Sequence, residues 1–355
     1  MKNYLYALAT DQRNGIFDAI IKIFLWIFSI LYFGLVLARS ILYKLGILTS
    51  RKLVEPVICV GNITVGGVGK TPLVLMLSKI FLQRKMSIAI LTRGYKSENN
   101  ETEGRSNDES RLLKSELPDV PILIGSKRYE TAMEYLKNQR ADMFLMDDGF
   151  QHLPLKRDLD ILAIDATNPF GNGHLLPRGI LREPKSALKR AGVFVLTKTD
   201  LGADNLVQLR SLLKMINPKA PIIESIHRPK IFVDVRTAQE YPLDYFRDHK
   251  FCLVSGIGNP RAFEQTLKAL GGMVSRHFIF EDHMVYDARA TQLINEFCTQ
   301  KNIKNVVTTQ KDAIKLKENM SQFSDAVKIA YLKIDCEIVK GKDILIERID
   351  HLLRR

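Results

Sequence analysis

The chain has 355 residues, of which 46% are hydrophobic and 26% are charged. This length and composition exclude a disordered chain and predict a globular protein with enough core for two domains. The formal net charge of +13 calls for an anionic partner or surface, either nucleic acid or lipid. Because the chain has one Trp and no nucleic-acid-binding motif, we expect no nucleic-acid partner. Its four cysteines form no CxxC pair and no signal-peptide cleavage site stands out, which indicates a reducing cytosol.

The first predicted element is an apolar helix over residues 19–38, whose only charged residue is Lys22. Its uncharged part, residues 23–38, would extend about 24 Å as a helix, which is less than the ~30 Å hydrocarbon core of a bilayer. Basic and aromatic residues flank or interrupt it: Trp26, Tyr32, Arg39, Tyr43, Lys44, Arg51 and Lys52. We expect an inserted or monotopic membrane anchor facing the cytosol. The alternative is a helix buried in a large core.

A glycine-rich turn follows in residues 56–72, which read PVICVGNITVGGVGKTP. Glycines in such a turn let backbone N–H groups converge on an anion, and the helix that follows directs its positive end at the same place. Lys70 adds a charge and Thr71 offers a hydroxyl to Mg²⁺. The turn therefore predicts a nucleoside triphosphate site formed by Thr64, Val65, Gly66, Gly67, Val68, Gly69, Lys70 and Thr71. Thr64 stands where the common pattern has Gly, and the alternative is an ordinary strand-to-helix connection.

Short apolar runs then alternate with helical patterns, as in a parallel sheet covered by helices. Candidate strands cover residues 57–61, 87–92, 143–147, 160–165 and 193–197, and a second set covers 230–235, 251–256, 274–280, 305–308 and 327–332. The polar residues 96–110 have the composition of a mobile loop. We predict a P-loop NTPase-like α/β domain, a second, smaller α/β domain and an N-terminal membrane-associated helix. The predicted boundaries are residues 1–50 for the anchor, 51–228 for the P-loop domain and 229–355 for the smaller domain.

Two further segments have residues suited to phosphoryl chemistry. Residues 141–152 contain an apolar strand that ends in Asp147 and Asp148, where a parallel sheet places a metal-binding carboxylate opposite the phosphate loop. The alternative is a solvated Asp-Asp-Gly turn. Residues 168–184 are rich in Gly and Pro around Arg178, Arg182 and Glu183. Arginine there suits phosphate or transition-state charge, and a nearby Glu suits metal coordination.

Five motifs together resemble the tetraacyldisaccharide 4′-kinase family of lipid A biosynthesis. In chain order they are residues 60–72, the TRGY of 92–95, the DDGFQH of 147–152, the FGNG, LPRG and LREP of 170–184, and the TTQKDA of 308–313. The resemblance covers the chain from the anchor to about residue 315. It implies ATP-dependent phosphorylation of the 4′-hydroxyl of a tetraacylated glucosamine disaccharide 1-phosphate, giving lipid IVA for lipopolysaccharide. The implied partners are this lipid and the cytosolic face of the cytoplasmic membrane, and we expect a monomer.

Site roles follow from the resemblance for several matched positions. Lys70 would contact the β- and γ-phosphates, and Arg182 would lie near the transferred phosphoryl group. Residues that would contact Mg²⁺, directly or through water, are Thr71, Asp147 or Asp148, and Glu183.

The family also uses an Asp–His pair to deprotonate the sugar hydroxyl. Residues 280–283 match its Phe-x-Asp-His segment and give His283, whose ordinary pKa near 6.5 suits proton transfer. Residues 107–110 keep the carboxylates of its Gly-Asp-Glu-Pro segment but lack the Gly and Pro, which makes Asp108 the candidate base. Alternatively, His283 is a surface histidine and Asp108 belongs to a solvated charge run. Asp282 and Asp312 are assigned only to contacts with the lipid head group.

Three other functions remain alternatives. Membrane-attached switch ATPases carry a similar turn, but they have Lys where this chain has Val65. A GTPase is suggested by residues 196–200, LTKTD, which look like a guanine-reading element. A lipid-binding scaffold without phosphoryl transfer is the third. Measuring the turnover of ATP and of GTP, each with and without the glycolipid acceptor, distinguishes these alternatives from the kinase.

Overall fold

The computed structural model describes residues 2–13, 15–94, 108–282, 284 and 286–354, with backbone only for Lys2, Asn3, Leu5 and Tyr6. The helices are α1 (Lys2–Ala9), α2 (Ile16–Lys44), α3 (Lys70–Gln83), α4 (Asp108–Glu116), α5 (Arg128–Leu136), α6 (Leu206–Ile216), α7 (Pro260–Ala269), α8 (Ala288–Gln300), α9 (Gln310–Glu318) and α10 (Lys342–Leu353). The strands are β1 (Val57–Gly61), β2 (Ile88–Thr92), β3 (Ile122–Ile124), β4 (Met143–Asp147), β5 (Leu159–Asp165), β6 (Val193–Thr197), β7 (Ile222–Asp234), β8 (Glu240–Tyr241), β9 (Lys250–Ser255), β10 (Met273–Ile279), β11 (Asn305–Thr309) and β12 (Lys328–Lys340).

The described chain forms two compact units. The first contains residues 2–94, 119–226 and 338–354, and the second contains residues 108–118 and 227–337; within these ranges only the described residues are meant. The domain boundaries expected from the sequence stay a prediction. Two strands, β7 and β12, have residues in both units.

The first unit is built on a parallel sheet with the strand order β7-β6-β5-β1-β4-β2-β3. Strands β1, β2, β4 and β6 are buried along their whole length, which explains their continuous apolar sequences. Because β1 lies between β4 and β5, the turn after β1 and the carboxylates at the end of β4 emerge at the same edge of the sheet.

The second unit has the strand order β10-β9-β11-β12-β7, with β8 antiparallel to β7. Strands β9, β10, β11 and β12 pair in parallel in that unit. One apolar core of this unit includes Cys252, Ile294, Val306 and Leu316. This core brings α8 and α9 onto the sheet, so that α9 has a fixed position from which its polar face can hold other segments.

Helix α2 is longer than the apolar run suggested. It covers 29 residues and therefore about 43 Å, so its length no longer falls short of a bilayer core. It is long and apolar enough to cross a membrane by length and composition, and 6% of its most apolar window is buried in the protein. The alternative of a helix buried in a core is therefore wrong, because only Asp18 and Ser29 of α2 are buried.

The strand predictions agree with the structure within a few residues, except that β7 begins earlier and β12 ends later. One prediction is wrong in part: residues 108–110, assigned to a mobile loop, form the first turn of α4. Asp108 and Glu109 favour a helix N-terminus because the helix dipole is positive there. Leu112 and Leu113 then bury one face of the helix.

Candidate active site

The glycine-rich turn after β1 leads directly into α3, as its sequence predicted. Gly66 has φ 111° and Gly69 has φ 86°, and residues with a Cβ rarely adopt such positive φ angles. Helix α3 begins at Lys70, so Lys70 and Thr71 lie in its first turn. The backbone thus has the conformation of an anion-binding turn at a helix N-terminus.

Lys70 lies among oxygen acceptors in the first unit. Its Nζ donates to Asn62 Oδ1 at 3.1 Å and lies 3.4 Å from Asp148 Oδ1. Arg182 Nη1 donates to both oxygens of Asp148, at 3.1 and 3.3 Å. The structure therefore brings together three residues predicted from three separate motifs, Lys70, Asp148 and Arg182.

Asp148 is held as an ionised carboxylate. Its removal from water opposes ionisation, but Lys70 and Arg182 outweigh this and lower the pKa of Asp148 to about 2. Its φ of 46° is uncommon for a residue with a Cβ and costs free energy that the surrounding structure must supply. Asp148 is consequently fixed in place and charged throughout the neutral pH range.

Thr64 has a structural explanation in the segment that carries Arg182. Thr64 forms an antiparallel bridge with Leu181, the Val65 N–H donates to Ile180 O at 2.8 Å, and the Arg182 N–H donates to Ile63 O at 2.7 Å. The residues before the glycines therefore pair with the 180–182 segment as a short ribbon. Because the backbone is extended in this pairing, position 64 does not need glycine. The pairing also fixes Arg182 beside the glycine-rich turn.

Glu183 is bound at both of its oxygens. Arg190 donates to Oε2 at 2.7 Å and to Oε1 at 3.0 Å, and Gln151 Nε2 donates to Oε1 at 3.0 Å. Gln151 Nε2 also donates to Asn62 O at 2.8 Å. In this arrangement Glu183 joins the 181–184 segment to the strand ends, while its predicted contact with a metal stays a prediction.

Two side chains in the segment that suggested a GTPase donate hydrogen bonds to backbone carbonyls of the glycine-rich turn. Lys198 Nζ donates to Gly67 O at 2.9 Å and pairs with Asp165, and Thr197 Oγ1 donates to Val68 O at 2.8 Å. Both side chains are buried. Since these contacts involve the turn backbone, they do not depend on which nucleotide base is bound.

A buried arginine supports the turn after β4. The side chain of Arg128, which is 2% exposed, donates through Nη2 to Asp147 O at 2.8 Å and to Asp148 O at 3.2 Å. A Cβ at Gly149 would lie 2.8 Å from Arg128 Nη1, so the Gly of the Asp-Asp-Gly sequence makes room for the guanidinium group. Burial lowers the pKa of Arg128, which marks the desolvation of this cation.

The donor atoms of the first unit fit Mg²⁺ bound together with a nucleotide. No group of three or more His, Cys, Asp or Glu side chains is arranged to hold a metal among the described residues. Mg²⁺ in kinase sites needs one or two carboxylates, with phosphate and water oxygens completing its shell. Thr71 beside the glycine-rich turn and the Asp147–Asp148 pair at the end of β4 supply such oxygens. Asp147 is buried and Asp148 is half-buried.

Helix α2 contacts the segment that carries the site residues. Near the middle of the helix, Ser29 Oγ donates to Leu175 O and, at 3.1 Å, to Leu176 O, and Tyr32 OH donates to Arg182 O at 2.9 Å. Farther along, Arg39 donates to Gln151 O at 3.1 Å. The helix is therefore bonded to the backbone of two site-bearing segments.

Of the predicted Asp–His pair, the structure describes only Asp108, which belongs to the second unit. Asp108 is the first residue of α4, and Lys315 Nζ lies 3.1 Å from its Oδ2. His283 lies outside the described residues. The expectation that Asp312 contacts a lipid head group does not fit the structure, because Asp312 is 0% exposed and is enclosed by groups of its own unit.

Several residues of the site were missed in the sequence. Asn62, Gln151 and Arg190 stand within or next to the motifs and could have been considered on that ground. Arg128 lies outside them, and a single arginine at the start of a helix gives no signal that it will be buried.

Comparisons with known proteins agree on one family. Residues 21–354 match the sequence model of the family described as Tetraacyldisaccharide-1-P 4'-kinase. The Tetraacyldisaccharide 4'-kinase of Anaeromyxobacter dehalogenans (strain 2CP-C) is 36% identical over 86% of this chain and 84% of its own length. That of Halothermothrix orenii is 35% identical over 92% of this chain and 91% of its own length. LpxK from Aquifex aeolicus, solved in complex with ATP, is 28% identical with a TM-score of 0.71 and covers 94% of this chain and 99% of that one. These matches confirm the resemblance and the fold class, and the chain belongs to the tetraacyldisaccharide-1-P 4'-kinase family.

Proposed function

We propose that this protein transfers the γ-phosphoryl group of ATP to the 4′-hydroxyl of a tetraacylated glucosamine disaccharide 1-phosphate, giving lipid IVA. Family membership supports the reaction class. The observation that carries the proposal is the convergence of Lys70, Asp148 and Arg182 on the glycine-rich turn. Two cations and a fixed carboxylate beside an anion-binding turn suit the charge that develops during phosphoryl transfer.

The residues of the first unit would bind the triphosphate. Backbone N–H groups of residues 66–71 would hold the phosphates, with Lys70 on the β- and γ-phosphates and Arg182 beside the transferred group. Mg²⁺ bound by Thr71 and by Asp147 or Asp148, with Glu183 contributing through water, would neutralise phosphate charge. Lys198 and Arg128 would keep the turn and the carboxylates in position.

The proton of the acceptor hydroxyl would pass to Asp108 and His283. The oxygen of the 4′-hydroxyl forms a bond to the γ-phosphorus, the bond from that phosphorus to the bridging oxygen breaks, and ADP leaves. The proton from the hydroxyl goes to the Asp–His pair, which is suited to accept it near neutral pH. This assignment rests on the matched family segments.

We also propose that α2 lies in the interface on the cytosolic side of the cytoplasmic membrane. Its exposed apolar side chains include Phe17, Phe24, Phe28, Leu31 and Leu35, which suit insertion among acyl chains. Ser29 and Tyr32, near its middle, bind backbone carbonyls of the 175–182 segment. These polar contacts favour a helix lying along the surface, because a spanning helix would carry its middle, with the segment bonded to it, into the hydrocarbon core.

The function is tested with the purified full-length protein in detergent micelles containing the acyl-disaccharide 1-phosphate. We expect label from [γ-³²P]ATP on the distal sugar and no comparable transfer from GTP. Transfer from GTP alone would refute the ATP assignment. Nucleotide hydrolysis without labelled lipid would refute the kinase reaction and favour a switch ATPase.

Lys70→Met tests the nucleotide site within the same assay. Loss of its charge should lower turnover by on the order of 10²–10³-fold, with the melting temperature close to that of the unchanged protein. Lys214→Met, at an exposed position of α6, is the matched control and should retain turnover. Equal turnover in the two variants would contradict the assigned site.

A further inference from the structure

The second unit contains a group of charged side chains that the sequence motifs did not explain. We call it the α4–α9 charge cluster, and it consists of Asp108, Glu109, Asp282, Lys311, Asp312 and Lys315. Helix α9 supplies Lys311 and Lys315, one turn apart, and α4 supplies Asp108 and Glu109 in its first turn. Each of the two lysines joins a carboxylate of α4 to a carboxylate from elsewhere in the unit.

Lys315 is the more buried of the two, with a side chain that is 6% exposed. Its Nζ lies 3.1 Å from Asp108 Oδ2 and 3.4 Å from Asp312 Oδ1. Lys311 lies 2.9 Å from Glu109 Oε1 and 2.9 Å from Asp282 Oδ1. Lys311 therefore ties α4 to the residue that precedes His283 in the sequence, and Lys315 holds the candidate base itself.

Hydrogen bonds from residues other than Lys315 fix the Asp312 carboxylate in place. Its Oδ2 accepts from the Gly256 N–H at 3.0 Å and from Thr309 Oγ1 at 2.7 Å. Two donors on one oxygen leave the other oxygen directed at Lys315 without freedom to rotate away. Lys315 thus contacts a carboxylate that cannot move, and the ammonium group becomes a fixed point charge.

The burial of this lysine is not explained by the docking of α4 alone. At the other end of α4, Glu116 binds Lys333 at 2.9 Å and Gln310 at 2.7 Å, so the helix has other attachments. Burying an ion pair gains little stability because the desolvation of both groups offsets their attraction. A buried ammonium between two carboxylates is better suited to holding one of them in a fixed place and charge state.

We propose that Lys315, fixed by Asp312, is a positioning residue that holds the Asp108 carboxylate for removal of the acceptor's proton. This inference rests on the proposed function of Asp108 as the base. It gives the Thr-Thr-Gln-Lys-Asp-Ala motif a role, since the motif supplies Asp312 and Lys311 and begins the helix that presents Lys315. An ammonium group on one carboxylate oxygen leaves acceptor capacity on the carboxylate for the proton.

The charges around Asp108 determine the sign of a pH effect. Among the described residues, Lys315 from α9 lies 3.1 Å from Asp108 Oδ2, and Tyr286 from the segment before α8 interacts electrostatically with Asp108. Asp312 carries the next negative charge, on the other side of Lys315 at 3.4 Å. Burial, followed by Asp312, raises the pKa of Tyr286, so this phenol is neutral at working pH. Removing the cation should therefore raise the pKa of Asp108, and removing the anion at position 312 should lower it.

The test compares kcat, KM and the pH dependence of kcat/KM in three full-length variants. Lys315→Met should lower kcat by about 10- to 100-fold, leave KM for ATP nearly unchanged and shift the acidic limb of the profile to higher pH. Asp312→Asn keeps an acceptor oxygen for Gly256 and Thr309 and should shift that limb to lower pH. Lys333→Met, the matched control at the far end of α4, should leave the profile unchanged.

The proposal is overturned if Lys315→Met and Lys333→Met lower kcat equally without a pH shift, because this result indicates helix docking. It is also overturned if both the Lys315→Met and Asp312→Asn profiles match that of the unchanged protein. Should Lys315→Met fail to fold, Lys315→Arg and Asp312→Asn carry the same test. Asp108→Asn distinguishes failure of the base assignment from failure of the positioning role. Full turnover in Asp108→Asn rejects Asp108 as the base. Loss of turnover in Asp108→Asn, with unchanged turnover in the Lys315 variants, rejects only the positioning role of Lys315.

Discussion

Replacing Arg128 by Met tests whether the buried guanidinium group fixes the carboxylates at the end of β4. The methionine side chain fills part of the space but donates no hydrogen bonds to Asp147 O and Asp148 O, which Arg128 contacts at 2.8 and 3.2 Å. Each hydrogen bond from a charged donor contributes about 1.5–3 kcal/mol. Removing a desolvated cation recovers part of that sum. We therefore expect the free energy of unfolding to fall by about 2–4 kcal/mol.

Loss of these bonds should also loosen Asp148, whose left-handed backbone depends on its surroundings. Misplacement of a reacting group by about 1 Å can cost on the order of 10²-fold in rate, and we expect a fall in kcat/KM of that order. The assay pairs urea unfolding with phosphoryl transfer, measured at a temperature equally far below each variant's melting temperature.

Arg157→Met is the control for a buried arginine in the same unit. Arg157 pairs with Asp160 at 3.1 Å and donates to His152 O and Leu155 O, but it does not contact the Asp147–Asp148 carbonyls in these bonds. Its loss should destabilise the protein by about 3–5 kcal/mol while kcat/KM stays within a few-fold of the unchanged protein. Equal losses of kcat/KM in both variants, or none in Arg128→Met, would refute the reasoning.

The remaining predictions concern helix α2 and the half-buried His152. Tyr32→Phe removes the hydrogen bond to Arg182 O and should lower kcat by up to about 5-fold, equivalent to ~1 kcal/mol. The fraction of protein that sediments with anionic vesicles should stay unchanged. An unchanged kcat would show that the contact does not affect the site. Burial, with help from Arg128 and other cations, lowers the pKa of His152 to about 4, so between pH 6.5 and 4 the unfolded chain takes up a proton that the folded chain does not. Stability should therefore fall as pH drops through this window, and His152→Gln should make the fall in melting temperature shallower; identical slopes would contradict the shifted pKa.

The sequence by itself determined the local elements and the family. The apolar strand, the positive-φ glycines and the first turn of α3 are specified by neighbouring residues, and the ordered motifs indicated the family before any contact was known. The apolar run likewise predicted a helix, although only the structure showed that it extends from residue 16 to 44. Such features follow from backbone preferences and hydrophobic pattern, which act over a few residues.

Only the tertiary structure decided which side chains meet. Lys198 binds Gly67 O across 131 residues of sequence and Tyr32 binds Arg182 O across 150, and no local pattern encodes these pairs. Arg128 and Lys315 read as ordinary basic residues in helices, yet packing buries both against carbonyls or carboxylates of distant segments. The physical reason is that the order of the strands in each unit, and the helices that its core holds against them, determine which side chains become neighbours. The sequence predicted the groups of the site, and the fold supplied the residues that hold them in place.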